Sequence, residues 1–84
     1  MISHQSFKNV FDALQDAILQ GSSVKIKYEA FDGSRTDRLI DPRRFILMER
    51  QRSKYHRLCV KAYCHLREAD RTFAIYRIKK LIIN

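Results

Sequence analysis

The sequence predicts a small, mostly β domain in which one N-terminal amphipathic helix precedes five or six short strands. Three observations carry this reading. Apolar residues first recur at spacings of three and four, the period then changes to two after Ser22, and turn-forming residues punctuate the remainder of the chain. Eighty-four residues allow one domain, 1–84. The composition, 45% hydrophobic and 31% charged, is that of a folded globule rather than a disordered tail.

The helix is predicted over about residues 4–20. Phe7, Val10, Phe11, Leu14, Ala17 and Ile18 form one apolar stripe, and Asp12, Gln15, Asp16 and Gln20 fall off it. Gly21 comes directly after the last apolar turn and can take the left-handed conformation that ends a helix. From Val24 the alternation with Ile26 and Tyr28, against Lys25, Lys27 and Glu29, reads as a half-buried strand. Asp32-Gly33 marks a turn, and a second strand should run from about Arg35 to Ile40. Pro42 cannot donate a ladder hydrogen bond, so it should break that strand or sit at an edge.

Phe45 to Met48 reads as a third, buried strand, and Gln51 to Lys54 as a polar turn. Between Arg57 and His65, Leu58, Val60, Ala62 and Cys64 share one face, while Cys59, Lys61, Tyr63 and His65 share the other. Residues 67–71 read as a charged connection, Thr72 to Arg77 as a further strand, and Leu81 to Ile83 as the last. Short strands with tight turns point to a small barrel or sandwich.

The net charge is +8, and its placement is uneven. Residues 1–42 carry five Lys/Arg against six Asp/Glu, whereas residues 43–84 carry twelve against three. Such a concentrated positive field attracts polyanions. The apolar runs are far shorter than the ~20 residues that cross a bilayer, and no basic stretch leading into an apolar run opens the chain. A cytoplasmic location is therefore expected, with no membrane partner.

Catalytic chemistry finds little footing, and the chain is read as not an enzyme. Cys59 and Cys64 are five positions apart on a strand, so they point to opposite faces and do not make a zinc pair; no metal or cofactor is expected. Asp12 and Asp16 lie on the polar face of the helix, where solvation accounts for them. Two glycines leave no Gly-rich phosphate loop. What remains is basic residues interleaved with aromatics: Lys61, Tyr63 and His65 on one strand face, then Arg67, Arg71 and Arg77, with Tyr76 nearby. Aromatic faces stack on unpaired bases and guanidinium groups pair with phosphates, a combination suited to single strands.

The run Ala62-Tyr63-Cys64-His65-Leu66-Arg67, with Arg71-Thr72-Phe73 and Arg77-Ile78 beyond it, resembles the C-terminal signature of the WYL domain family, A-Y-C-x-x-R and then R-x-F and R-I. Tyr28 and Arg38-Leu39-Ile40-Asp41-Pro42 resemble that family's upstream Y and R-x-V/I-x-P elements. The three positions that name the family read Leu58-Cys59-Val60 here, which keeps 58 and 60 apolar and drops the large aromatics.

The resemblance implies an Sm-like five-stranded β-barrel preceded by the helix. It implies a bacterial regulatory module that senses nucleic acid or nucleotide-like ligands and modulates an attached helicase or DNA-binding domain, and the residue pattern makes single-stranded DNA the preferred ligand. Its binding residues would be Tyr63, Arg67, Arg71 and Arg77, joined on the residue pattern by Lys61 and His65. The chain holds no helix-turn-helix and no room for an ATPase, so a fragment of a longer protein is expected. Two alternatives stand beside this reading. One is a nucleotide or second-messenger sensor. The other is a protein-interaction or dimerisation module, a homodimer included, built on Phe45 to Met48.

Overall fold

The computed structural model describes residues 7–30, 32–48 and 58–83. Helix α1 (Phe7–Gln20) is followed by five strands, β1 (Val24–Glu29), β2 (Arg35–Leu47), β3 (Leu58–Cys64), β4 (Ala69–Ala74) and β5 (Ile78–Ile83). A short 3-10 turn, Ile75–Arg77, joins the last two. The strands form one antiparallel sheet in the order β4-β3-β2-β1-β5. The mostly β architecture behind a single helix is thus the one the periodicities predict.

The helix ends as its sequence dictates. Gly21 has φ 67°, Ser22 N–H donates to Ala17 O at 2.9 Å, and Gly21 N–H donates to Ile18 O at 3.3 Å. This paired closure satisfies carbonyls that the last helical turn leaves open. The β1–β2 hairpin turns at Gly33, φ 88°, and Asp32 Oδ1 accepts from both the backbone N–H and the hydroxyl of Ser34.

One face of the sheet and one stripe of the helix make the core. Val24, Ile26, Ile40, Val60, Ala62, Cys64, Phe73, Ile78 and Leu81 pack with Val10, Leu14 and Ala17 of α1. Phe11 stacks on Phe45 with ring centroids 4.4 Å apart, fixing the helix against β2. The sheet curls strongly about this core. Tyr28 on β1 reaches across to β4, where its hydroxyl accepts from Ala74 N–H at 3.2 Å, although two strands lie between them in the ladder. Among the described residues no ladder joins β4 to β5, so the two edges meet through the 3-10 turn that links them.

Three boundaries differ from expectation. Phe45 does not begin a separate strand, because β2 runs on through Pro42. Pro42 is buried and pairs with Ala62 on β3, but β1 ends opposite Ile40. Among the described residues the strand has a ladder neighbour on one side only at that point, and an adjacent bulge puts Arg43 out of register, so the missing N–H is tolerated. The charged connection is shorter than predicted: residues 65–68 form the turn, and Ala69, Asp70 and Arg71 already belong to β4. Thr72 to Arg77 is not one strand, since Ile75–Arg77 winds into the 3-10 turn and β5 starts at Ile78. The expected turn at Gln51 to Lys54 lies outside the described residues.

Leu14 is fully enclosed, 0% exposed. Leu14→Ala should cost about 3 kcal/mol by combining lost burial with a cavity. In a domain of this size that is a large share of total stability. Urea denaturation checks it, and a loss under about 1 kcal/mol would mean that the helix does not pack as described.

Candidate functional site

The ladder sorts the predicted binding residues onto two faces. Side chains alternate along a strand, and residues paired across an antiparallel ladder share a face. Arg71 pairs with buried Ala62 and stands two residues from buried Phe73, so it belongs to the inner, concave face. Lys61 and Tyr63 alternate with Val60, Ala62 and Cys64 and belong to the outer face.

On the inner face the apolar pattern gives way to polar groups at one end. Arg38 shares the parity of Ile40 and pairs with Ile26, both core residues, so a guanidinium stands where the sheet otherwise carries aliphatic side chains. It is held from three directions. Nε donates to Thr36 Oγ1 at 3.0 Å, Nη1 lies 3.6 Å from Cys64 Sγ, and the guanidinium carbon sits 5.7 Å from the centre of the Phe73 ring. Phe73 in turn meets the edge of Tyr28 at 5.1 Å and 80°.

Arg77 approaches from the 3-10 turn. Its Nη1 donates to Glu29 O at 3.4 Å, and its guanidinium lies 5.0 Å from the Tyr76 ring centre. Arg67 lies exposed in the turn after β3, where its backbone N–H bonds to Cys64.

Burial pushes the Tyr28 phenol up, and the Ala74 N–H and the Arg77 charge pull against it without cancelling it. Burial alone would also push Cys64 up. The N–H groups of Arg67 and Leu66 and the Arg38 guanidinium outweigh that effect, and its net shift is downward. The thiolate of Cys64 is thus favoured by its immediate donors, whereas the phenolate of Tyr28 is disfavoured by burial. Cys59 is simply raised by burial.

The outer face has a different electrostatic character. Tyr63 is flanked in the ladder by Asp41 on β2 and Asp70 on β4. His65 meets the edge of Tyr63 at 5.1 Å, and its Nε2 lies 3.0 Å from Asp41 Oδ1. Ser23 donates to the same oxygen at 2.5 Å, and Arg43 stands 3.8 Å from Asp70. Cations here face carboxylates of the protein, which compete with any phosphate.

The structure thus places Arg71 on the inner face and Arg77 beside Glu29 and Tyr76, leaves Arg67 in the turn after β3, and places Lys61, Tyr63 and His65 on the outer side. Tyr28 and Arg38, which the residue pattern did not single out for binding, occupy the centre of the inner site. A signal for Arg38 exists in the sequence: it is a charged residue at an inward position of a strand. No group of three or more His, Cys, Asp or Glu side chains suited to a metal occurs among the described residues. No described helix is long and apolar enough to cross a membrane.

Comparison with known proteins adds family and fold. The family model described as WYL domain matches residues 9–83. A solved structure of Proteasome accessory factor B/C (PafBC) of Arthrobacter aurescens superposes with a TM-score of 0.79 and 26% identity. The match covers 99% of this chain and 13% of that one, so the chain spans a small part of that protein's length. No curated protein matches the chain in sequence.

The Asp41 cluster generates a pH prediction. The Ser23 hydroxyl, and then His65, hold the Asp41 carboxyl below its ordinary value. A depressed folded-state pKa stabilises the fold above the unfolded carboxylate range of ~3.9, and that contribution is lost as pH falls through the folded value. The stability gap between wild type and Asp41→Asn should therefore shrink as pH falls below about 4. Urea midpoints measured as the pH is lowered check this, and a gap that widens in acid would contradict it.

Proposed function

We infer that the chain, which belongs to the WYL domain family, is a regulatory binding module that takes single-stranded nucleic acid on its concave face and reports occupancy to a neighbouring domain. The observation that carries this reading is Arg38. A guanidinium kept on the inner face of a sheet, packed on Phe73 and tied to Thr36, is oriented before any ligand arrives. Arg77 adds charge beside Tyr28 and Tyr76, and Arg71 stands on the same face of the sheet as Arg38, so phosphate-pairing forks lie near half-buried tyrosine rings.

The reading is a regulatory one because a match covering 13% of PafBC leaves most of that protein to other parts, and because the WYL resemblance implies attachment to helicases or DNA-binding domains. A non-enzymatic role fits a site that, among the described residues, is built of arginines and aromatics rather than a nucleophile and its base. In this arrangement the outer cluster of Tyr63, His65 and Lys61 stabilises the fold, while the inner arginines meet the ligand.

Fluorescence anisotropy of a labelled single-stranded oligonucleotide tests the assignment. Arg38→Lys, which keeps the charge and loses the planar fork, should weaken binding about tenfold. Arg71→Ala should reduce the salt slope by about 0.7 for each phosphate contact removed. Lys61→Ala should change affinity less than about twofold. Affinity that resists both arginine changes and falls with Lys61→Ala or Tyr63→Ala would move the site to the outer face. A mononucleotide that protects the fold against heat as well as an oligonucleotide does would favour the nucleotide-sensor reading.

A further inference from the structure

The outer face of β5, β1 and β2 carries a second feature that the concave site does not use. Lys25 stands in the ladder between Leu39 and Ile82, and Lys27 stands between Asp37 and Lys80. These six residues line a groove of about 360 Å³. Ile26 and Arg38 border it from the same strands, with their parity on the inner face. All three lysines are exposed, and Ile82 is 49% exposed, unusually open for an isoleucine on a sheet. Asp37 is the one acidic group in the lining among the described residues. It lies 3.8 Å from Lys27 Nζ, so the groove's carboxylate is engaged at one end and Lys25 and Lys80 extend the positive rim beyond it. The floor is apolar and the rim positive.

We propose that this groove docks an acidic peptide segment of a partner protein or neighbouring domain, one that alternates carboxylates with aliphatic side chains. The aliphatic groups would cover Leu39 and Ile82, and the carboxylates would meet Lys25, Lys27 and Lys80. Charge complementarity selects this occupant. A nucleic acid suits the groove poorly. No described aromatic side chain lines it to stack a base, and the cations of its outward rim are lysine point charges rather than forked guanidiniums. The groove opens on the face opposite the arginine site and borders it at Arg38, whose strand position is inward.

The test uses the 84-residue chain with nitrogen-15 labelling and a synthetic peptide alternating glutamate and leucine. Amide shifts should concentrate at Lys25, Lys27, Leu39, Lys80 and Ile82. Lys25→Glu with Lys80→Glu should weaken binding by about tenfold or more, and the milder Lys25→Gln with Lys80→Gln should weaken it in the same sense. Lys8→Glu with Arg44→Glu, which changes net charge equally at exposed positions outside the groove, should leave affinity within about twofold. A peptide of glutamate alone should bind more weakly.

The proposal is overturned if the peptide shifts none of those amides, if the control pair weakens binding equally, or if the leucine-free peptide binds as well. It is also overturned if a single-stranded oligonucleotide shifts the Lys80 and Ile82 amides, or if the groove amides shift with protein concentration alone, which would assign the groove to a second copy. A failure of oligonucleotide binding at Arg38 leaves this test untouched.

Discussion

The curl of the sheet is the constraint on which the rest depends, and the Tyr28 to Ala74 hydrogen bond marks where it is tightest. A flat five-stranded sheet would hold β1 and β4 two strands apart. Bringing the Tyr28 hydroxyl to the Ala74 backbone turns the apolar face inward, so that one helix is enough to cover it. In a chain of this length such economy matters, because a small domain buries a modest share of its surface and has little core to spare. The curl also gathers inward positions of β1, β2 and β4 at one end, where Tyr28, Arg38 and Phe73 meet.

That gathering explains how a charged group comes to stand on an apolar face. An unpaired buried guanidinium would be costly. Arg38 avoids that cost by remaining half-buried and by making polar contacts to Thr36 and Cys64 while its guanidinium rests near Phe73. Burial raises the Cys64 thiol, and the Arg67 N–H, the Arg38 guanidinium and the Leu66 N–H together lower it by more. On the other side of the sheet, Asp41 and Asp70 flank Tyr63 and set carboxylates beside the cations there.

Much of this was legible in the residues. The stripe of Val10, Leu14 and Ala17, the alternation from Val24, and the left-handed glycines Gly21 and Gly33 depend on neighbours in sequence, so local pattern predicts them. The path of β2 through Pro42 was not legible, because it depends on where β1 stops and on a bulge opposite β3. The 3-10 turn at Ile75 was likewise hidden, since its apolar residues satisfy a strand pattern as well as a turn. For the site, parity alone separates Arg38 and Arg71 from Lys61 and Tyr63, but the carboxylates flanking Tyr63 come from other strands. Only the register reveals them.

The central claim is that the inward arginines, rather than the outer basic residues, receive the ligand. Its most direct measurement is the guanidinium Nε–H resonance of Arg38, tracked by NMR as a single-stranded oligonucleotide is added. The account predicts that Arg38 and Arg71 Nε–H signals move and sharpen as their side chains are fixed, while the His65 ring and Lys61 signals stay in place. Movement confined to Lys61, Tyr63 and His65, with Arg38 unchanged at saturation, would contradict it.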